Sequence, residues 1–127
     1  MTNRAIISTP NAPEAIGPYS QAVKVGNTVW LSGQIPLVPG SMELITGDIR
    51  AQARQVFTNM AAVAEAAGGT LNNAVKINIS LTDMADFSAV NEVMTEFLQP
   101  PFPARACVQV AGLPKGVAIE VEAILAV

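Results

Sequence analysis

Val117-Ala118-Ile119-Glu120-Val121-Glu122-Ala123-Ile124-Leu125-Ala126-Val127 alternates with a period of two, so its side chains divide between the two faces of a strand. Val117, Ile119, Val121, Ala123 and Leu125 take one face; Ala118, Glu120, Glu122, Ile124 and Ala126 take the other. The first face is wholly apolar and suits packing against helices. The second mixes carboxylates with apolar groups that a lone subunit would expose once helices occupy the first. The stretch therefore predicts a sheet covered by helices on one face and an oligomer that buries the other.

The preceding strand, expected over Ala104 to Val110, sets Arg105, Cys107 and Gln109 opposite Ala104, Ala106, Val108 and Val110, and a turn with Gly112, Pro114 and Gly116 follows. If these two strands form a hairpin with position 105 facing 120, Arg105 and Glu120 are cross-strand neighbours with Cβ atoms about 5 Å apart. The register itself is open in the sequence. Two readings stand side by side: a structural ion pair, or a carboxylate-binding Arg beside a Glu that handles water. The planar fork of Arg grips a carboxylate through two parallel hydrogen bonds, and a carboxylate one hydrogen bond from water can orient it and take its proton. Glu122, on the same side as Glu120, is expected to reach solvent.

Further upstream, Asp83 can cap a helix carrying Phe87, Val90, Met94 and Phe97 on one stripe and stopping at Pro100-Pro101. Ala74 to Leu81 alternates as a strand, with Val75, Ile77, Ile79 and Leu81 on one side and Lys76, Asn78 and Ser80 on the other. A longer helix begins at Ile49 behind Asp48 and ends at Gly68-Gly69, with Ala53, Val56, Met60, Val63 and Ala67 at helical spacing. Residues 36–47 carry Pro36, Pro39, Gly40 and Gly47 and read as a loop. Val23 to Val25 and Thr28 to Ser32 form a hairpin across Gly26-Asn27, with an extra edge strand near Ala5 to Ser8. The order β-β-α-β-α-β-β implies an α+β layer in which two helices cover one sheet face.

The 127 residues suit one domain over 1–127, half of them hydrophobic and 13% charged. Mean hydropathy of +0.39 is high for a small domain, yet no stretch approaches the roughly 20 apolar residues of a membrane span. The excess belongs between subunits. There is no histidine and one cysteine, Cys107, which excludes most zinc sites, nucleophile–histidine dyads and an internal disulfide. With no basic and apolar leader at Met1 to Pro10, the cytoplasm is the expected compartment. A net charge of -3 without a basic cluster argues against nucleic-acid partners.

Four further places in the chain hold candidates. Tyr19, the one tyrosine, follows Gly17-Pro18 in a loop, where its phenol supplies either a directed hydrogen bond or packing. Ser32-Gly33-Gln34 ends a strand and reads either as a polar pocket wall or as turn chemistry. Asn91 falls one turn from Phe87 and Met94, on the expected inward side of its helix, and needs a partner there. Cys107 reads as a small buried hydrophobe whose backbone matters more than its sulfur.

Taken together, these residues resemble one family. Ala15-Ile16-Gly17-Pro18-Tyr19-Ser20-Gln21-Ala22, Leu31-Ser32-Gly33-Gln34-Ile35-Pro36, Phe102-Pro103-Ala104-Arg105 with Leu113-Pro114-Lys115-Gly116, and Ile119-Glu120-Val121-Glu122-Ala123-Ile124 are similar to the signatures of the RidA/YjgF reactive-intermediate deaminases over nearly the whole chain. The resemblance implies a chorismate-mutase-like α+β subunit, a mixed six-stranded sheet with two helices on one face, and a homotrimer with sites in the clefts between subunits. It implies hydrolysis of 2-imino acids, including 2-iminobutanoate and 2-iminopropanoate, to 2-keto acids and ammonia without cofactor or metal. By position, Arg105 would bind the substrate carboxylate and Glu120 would manage the attacking water. Cys107 would contribute main-chain groups, and Tyr19, Ser32, Gly33 and Asn91 would shape the substrate pocket. The chain departs from the family pattern at Ser41 to Ile45 and in the short Leu98 to Pro101 connection, both of which bear on substrate preference. Competing readings are a small-carboxylate-binding or regulatory protein without turnover, and an endoribonuclease or translation inhibitor.

Overall fold

A computed structural model describes residues 3–127. In chain order the elements are β1 (Arg4–Ile7), β2 (Ala22–Val25), β3 (Thr28–Gln34), α1 (Ile49–Ala66), β4 (Ala74–Leu81), α2 (Phe87–Phe97), β5 (Ala104–Gln109) and β6 (Ile119–Ala126). Short 3-10 turns lie at Leu71–Asn73, Met84–Asp86 and Pro114–Gly116. The strands form one six-stranded mixed sheet in the order β1-β2-β3-β6-β4-β5. Only β4 and β5 run parallel, as α2 carries the chain back over the sheet between them.

Both helices cover one face. Val56, Phe57, Met60 and Val63 of α1 and Val90 and Val93 of α2 are fully buried against Val29, Ile77, Ile79, Ile119 and Leu125 of the sheet. The helical period of the first set and the two-residue period of the second each place one apolar stripe inward. Asp48 accepts a hydrogen bond from Arg50 N at 3.1 Å and so starts α1 where the sequence places its cap. Arg50–Glu92 at 2.8 Å and Arg54–Glu96 at 3.0 Å join the exposed sides of the helices.

The expected hairpin of the last two strands does not form. β4 stands between β5 and β6, pairing Ile77 with Arg105 on one side and Ser80 with Glu120 on the other. Burial explains the insertion: β6, whose Ile119, Val121, Ala123 and Leu125 are all buried, gains most in the centre of the sheet, whereas β5, largely exposed, stands at its edge. Arg105 thus shares the helix-covered face with Ile77, while Glu120 points out of the opposite face with Ser80. A structural ion pair between them is excluded within one chain.

Smaller corrections have local causes. Val75, expected beside Ile77, is half exposed because the β4–β6 register shifts between Ala74 and Lys76. Asp83 caps the 3-10 turn through Ala85 N at 2.9 Å, and α2 starts one turn later. In the β2–β3 turn Gly26 takes the positive φ, +58°, without a second positive φ at Asn27. The face away from the helices carries Ile6, Trp30 and Val108, exposed at 54, 45 and 52%.

Candidate functional site

Arg105 is built into the flank of α2. Its Nη1 donates to Asn91 Oδ1 and lies 3.7 Å from Met94 Sδ, and the guanidinium carbon sits 4.8 Å from the centroid of the Phe87 ring. Phe87, Asn91 and Met94 recur at helical spacing, so one side of α2 offers the cation a ring face, an amide oxygen and a sulfur. Among the described residues the ion pairs are Arg50–Glu92 and Arg54–Glu96, so Arg105 has no carboxylate partner. A cavity of about 430 Å³ opens beside it, lined by Asn91, Met94, Leu98, Phe102 and Pro103 among others.

Asn91 is exposed, not inward as expected. It follows the fully buried Val90, and one helical step of about 100° turns it from the core to the flank that faces β5. Cys107 lies two residues beyond Arg105 on the same face and is half buried. Burial pushes its thiol pKa up, and the Arg105 charge opposes this only in part. A protonated, half-buried thiol is a poor nucleophile.

Glu120 belongs to a second cavity of about 620 Å³, which Tyr19, Ser32, Gly33, Gln34, Lys115 and Glu122 also line. Burial, with the like charge of Glu122 second, raises the Glu120 pKa above the usual carboxylate value. Glu122 is itself exposed and accepts from Asn78 Nδ2 at 3.2 Å, as its solvent-facing reading requires. Ser32 Oγ donates to Ser20 O at 2.5 Å and Ser32 N donates to Gln21 O at 3.0 Å. The serine therefore pins the loop that carries Tyr19 and keeps only its oxygen lone pairs for the cavity. Tyr19, half exposed, accepts from Ile16 N at 3.4 Å, which leaves its hydroxyl proton free to be donated. Gln21, almost fully buried, ties Thr9 and Pro13 to the same wall.

The candidates fall into two groups within one chain. Arg105, Asn91 and Cys107 lie on the helix-covered side, and Tyr19, Ser32, Gly33 and Glu120 on the other. In the sequence Phe87 and Met94 read only as core, because their spacing fits a core stripe, and Lys115 only as part of a connection, because it sits in a Pro-Lys-Gly turn. Lys115 holds a φ of +57°, a strained backbone for a non-glycine residue at the rim of the Glu120 cavity. No helix among the described residues is long and apolar enough to cross a membrane.

Residues 9–127 match the family model described as endoribonuclease L-PSP. A curated relative from Dermatophagoides farinae, a 2-iminobutanoate/2-iminopropanoate deaminase, is 54% identical over 127 residues, covering 100% of this chain and 99% of that one. Among solved structures, RidA from the Antarctic bacterium Psychrobacter sp. PAMC 21119 superposes with a TM-score of 0.94 at 57% identity, covering 97% of this chain and 99% of that one. TdcF from E. coli, solved with bound serine, gives a TM-score of 0.92 at 44% identity over 97% of this chain and 98% of that one. Sequence and fold agree across nearly the full length, and the chain belongs to the RidA/YjgF family.

Proposed function

We propose that the protein hydrolyses small 2-imino acids, 2-iminobutanoate and 2-iminopropanoate among them, to 2-keto acids and ammonia. The observation that carries this reading is Arg105: an exposed guanidinium steadied by Asn91 and Phe87, with no acid of its own, is prepared for a substrate carboxylate. The names of relatives about half identical to this chain agree with it.

The working site forms between subunits of a homotrimer, in which Arg105, Asn91 and the main chain at Cys107 of one subunit meet Tyr19, Ser32, Gly33 and Glu120 of the next. Two features support this. The catalytic pair points out of opposite faces of one sheet, and the face that bears Glu120 also exposes Trp30 and Val108.

In the cleft, Arg105 fixes the carboxylate and so orients the imine carbon. Water adds to that carbon as Glu120 takes a proton; the same group returns it to the nitrogen, and the carbinolamine loses ammonia to leave the ketone. The balance needs only substrate and water. A carboxylate with a raised pKa is suited to both halves of this transfer. The thiol of Cys107 suits a reducing compartment such as the cytoplasm.

The test mixes two inactive proteins. Arg105→Ala and Glu120→Gln subunits, exchanged at equal amounts, are expected to regain about one quarter of wild-type turnover, because that fraction of clefts joins an intact Arg105 to an intact Glu120. Turnover is read as 2-keto acid released from a coupled threonine dehydratase, with semicarbazide as imine trap. Absence of any recovery after proven exchange would sink the shared cleft. Absence of Arg105-dependent acceleration in the wild type would sink the reaction and favour a small-carboxylate-binding role.

A further inference from the structure

Gly33 lies in an irregular stretch of β3. Leu31 faces Ala123 and Gln34 faces Val121, so Ser32 and Gly33 together stand opposite the single residue Glu122 of β6. This bulge re-aims the strand at the point where Glu120 passes it. Glycine weakens a strand interior, and here its backbone does not require it, because Gly33 has no positive φ. The reason lies in what a side chain would meet. A Cβ at position 33 would stand 2.8 Å from Glu120 Cδ, 2.9 Å from Oε1 and 3.0 Å from Cγ. Those separations are well inside ordinary van der Waals contact near 3.5–4.0 Å.

We propose that Gly33 is a positioning residue whose missing side chain is the seat of the Glu120 carboxyl, so that turnover depends on position 33 through Glu120. The inference rests on the proposed role of Glu120. The seat turns the carboxyl over the β3 bulge, along the wall that Ser32 and Tyr19 continue. It also keeps the carboxyl away from open water, the first cause of its raised pKa. Alanine at this position fits the backbone but displaces the carboxyl, which the flexible glutamate can follow only by leaving its seat. Aspartate, one methylene shorter, removes the two closest contacts, with Cδ and Oε1, but sets its carboxyl carbon at the Cγ position, 3.0 Å from such a Cβ.

The experiment compares wild type, Gly33→Ala, Glu120→Asp, Gly33→Ala/Glu120→Asp and Glu120→Gln with 2-iminobutanoate. Gly33→Ala is expected to lower kcat by about 10- to 100-fold with a smaller change in KM, the cost of a misplaced catalytic group. It should also move the acid limb of the kcat profile and the Glu120 carboxyl titration seen by carbon-13 NMR. In the Gly33→Ala background, Glu120→Asp should cost less than it does in the wild type, because the carboxyl has already left its seat. Unchanged kcat and titration in Gly33→Ala, or effects of the two substitutions that simply multiply, would overturn the seat. Wild-type turnover in Glu120→Gln would remove the role assigned to Glu120; the titration, which needs no turnover, would still decide the seat. If Gly33→Ala does not fold, Gly33→Ala/Glu120→Ala should fold, and its failure would place the conflict elsewhere and overturn the proposal.

Discussion

The helix-covered and open faces of the sheet treat their charged residues in opposite ways. Arg105 is held on three sides by the Asn91 amide, the Phe87 ring and the Met94 sulfur, with its remaining donors free. Glu120 is shaped by burial and by the like charge of Glu122, both of which disfavour its ionised form. The cation is thus oriented before a ligand arrives. The carboxylate is left in an environment that tunes its proton affinity. Binding asks for the first arrangement and proton transfer for the second.

That contrast is most sharply tested at Glu120. Glu120→Gln should reduce turnover by about 100-fold or more, the range of a lost acid–base group. Stability should not fall with it. The folded state raises the Glu120 pKa, so this group's stabilising contribution is present below its unfolded pKa and is lost as pH rises through the folded value. At neutral pH the ionised carboxylate weighs against folding, and the amide relieves it. Thermal melting of wild type and variant from acid to neutral pH checks this; a variant that melts lower at neutral pH would break the contrast.

On the other face, Arg105→Lys keeps the charge and loses the fork. A loss of about 10- to 100-fold in kcat/KM is expected, equivalent to one charge-assisted hydrogen bond, with melting nearly unchanged at this exposed site. Near-wild-type kcat/KM would mean that charge alone suffices. The smallest effect belongs to Cys107→Ser, expected to cost less than about threefold, because a thiol held protonated by burial contributes little nucleophile. Alkylation rates measured against pH should follow a titration whose midpoint lies above the ordinary thiol pKa. A folded but inactive serine variant would put the sulfur into the reaction.

Much of the fold was legible because it rests on local rules. Asp48 before a helical stripe and the alternation of Ile77, Ile79 and Leu81 were readable one element at a time. Val75 was misread because a register shift leaves no mark on the alternation that a sequence displays. Asn91 was assigned to the correct helix but the wrong side, since adjacent helical positions differ by about 100°. Of the candidate site, the residue types Arg105, Glu120, Tyr19 and Ser32 stood out, but not the separation of the first two onto different faces.

By itself the sequence determined the elements, the apolar face of each and the family, because side-chain period, caps and motifs are properties of consecutive residues. Tertiary structure alone decided that β6 enters between β3 and β4, which sends Arg105 and Glu120 out of opposite faces. Alternation sorts side chains within a strand but leaves the neighbouring strand open. That choice follows from the burial that the wholly apolar face of β6 gains at the centre of the sheet, a property of the whole chain rather than of any segment.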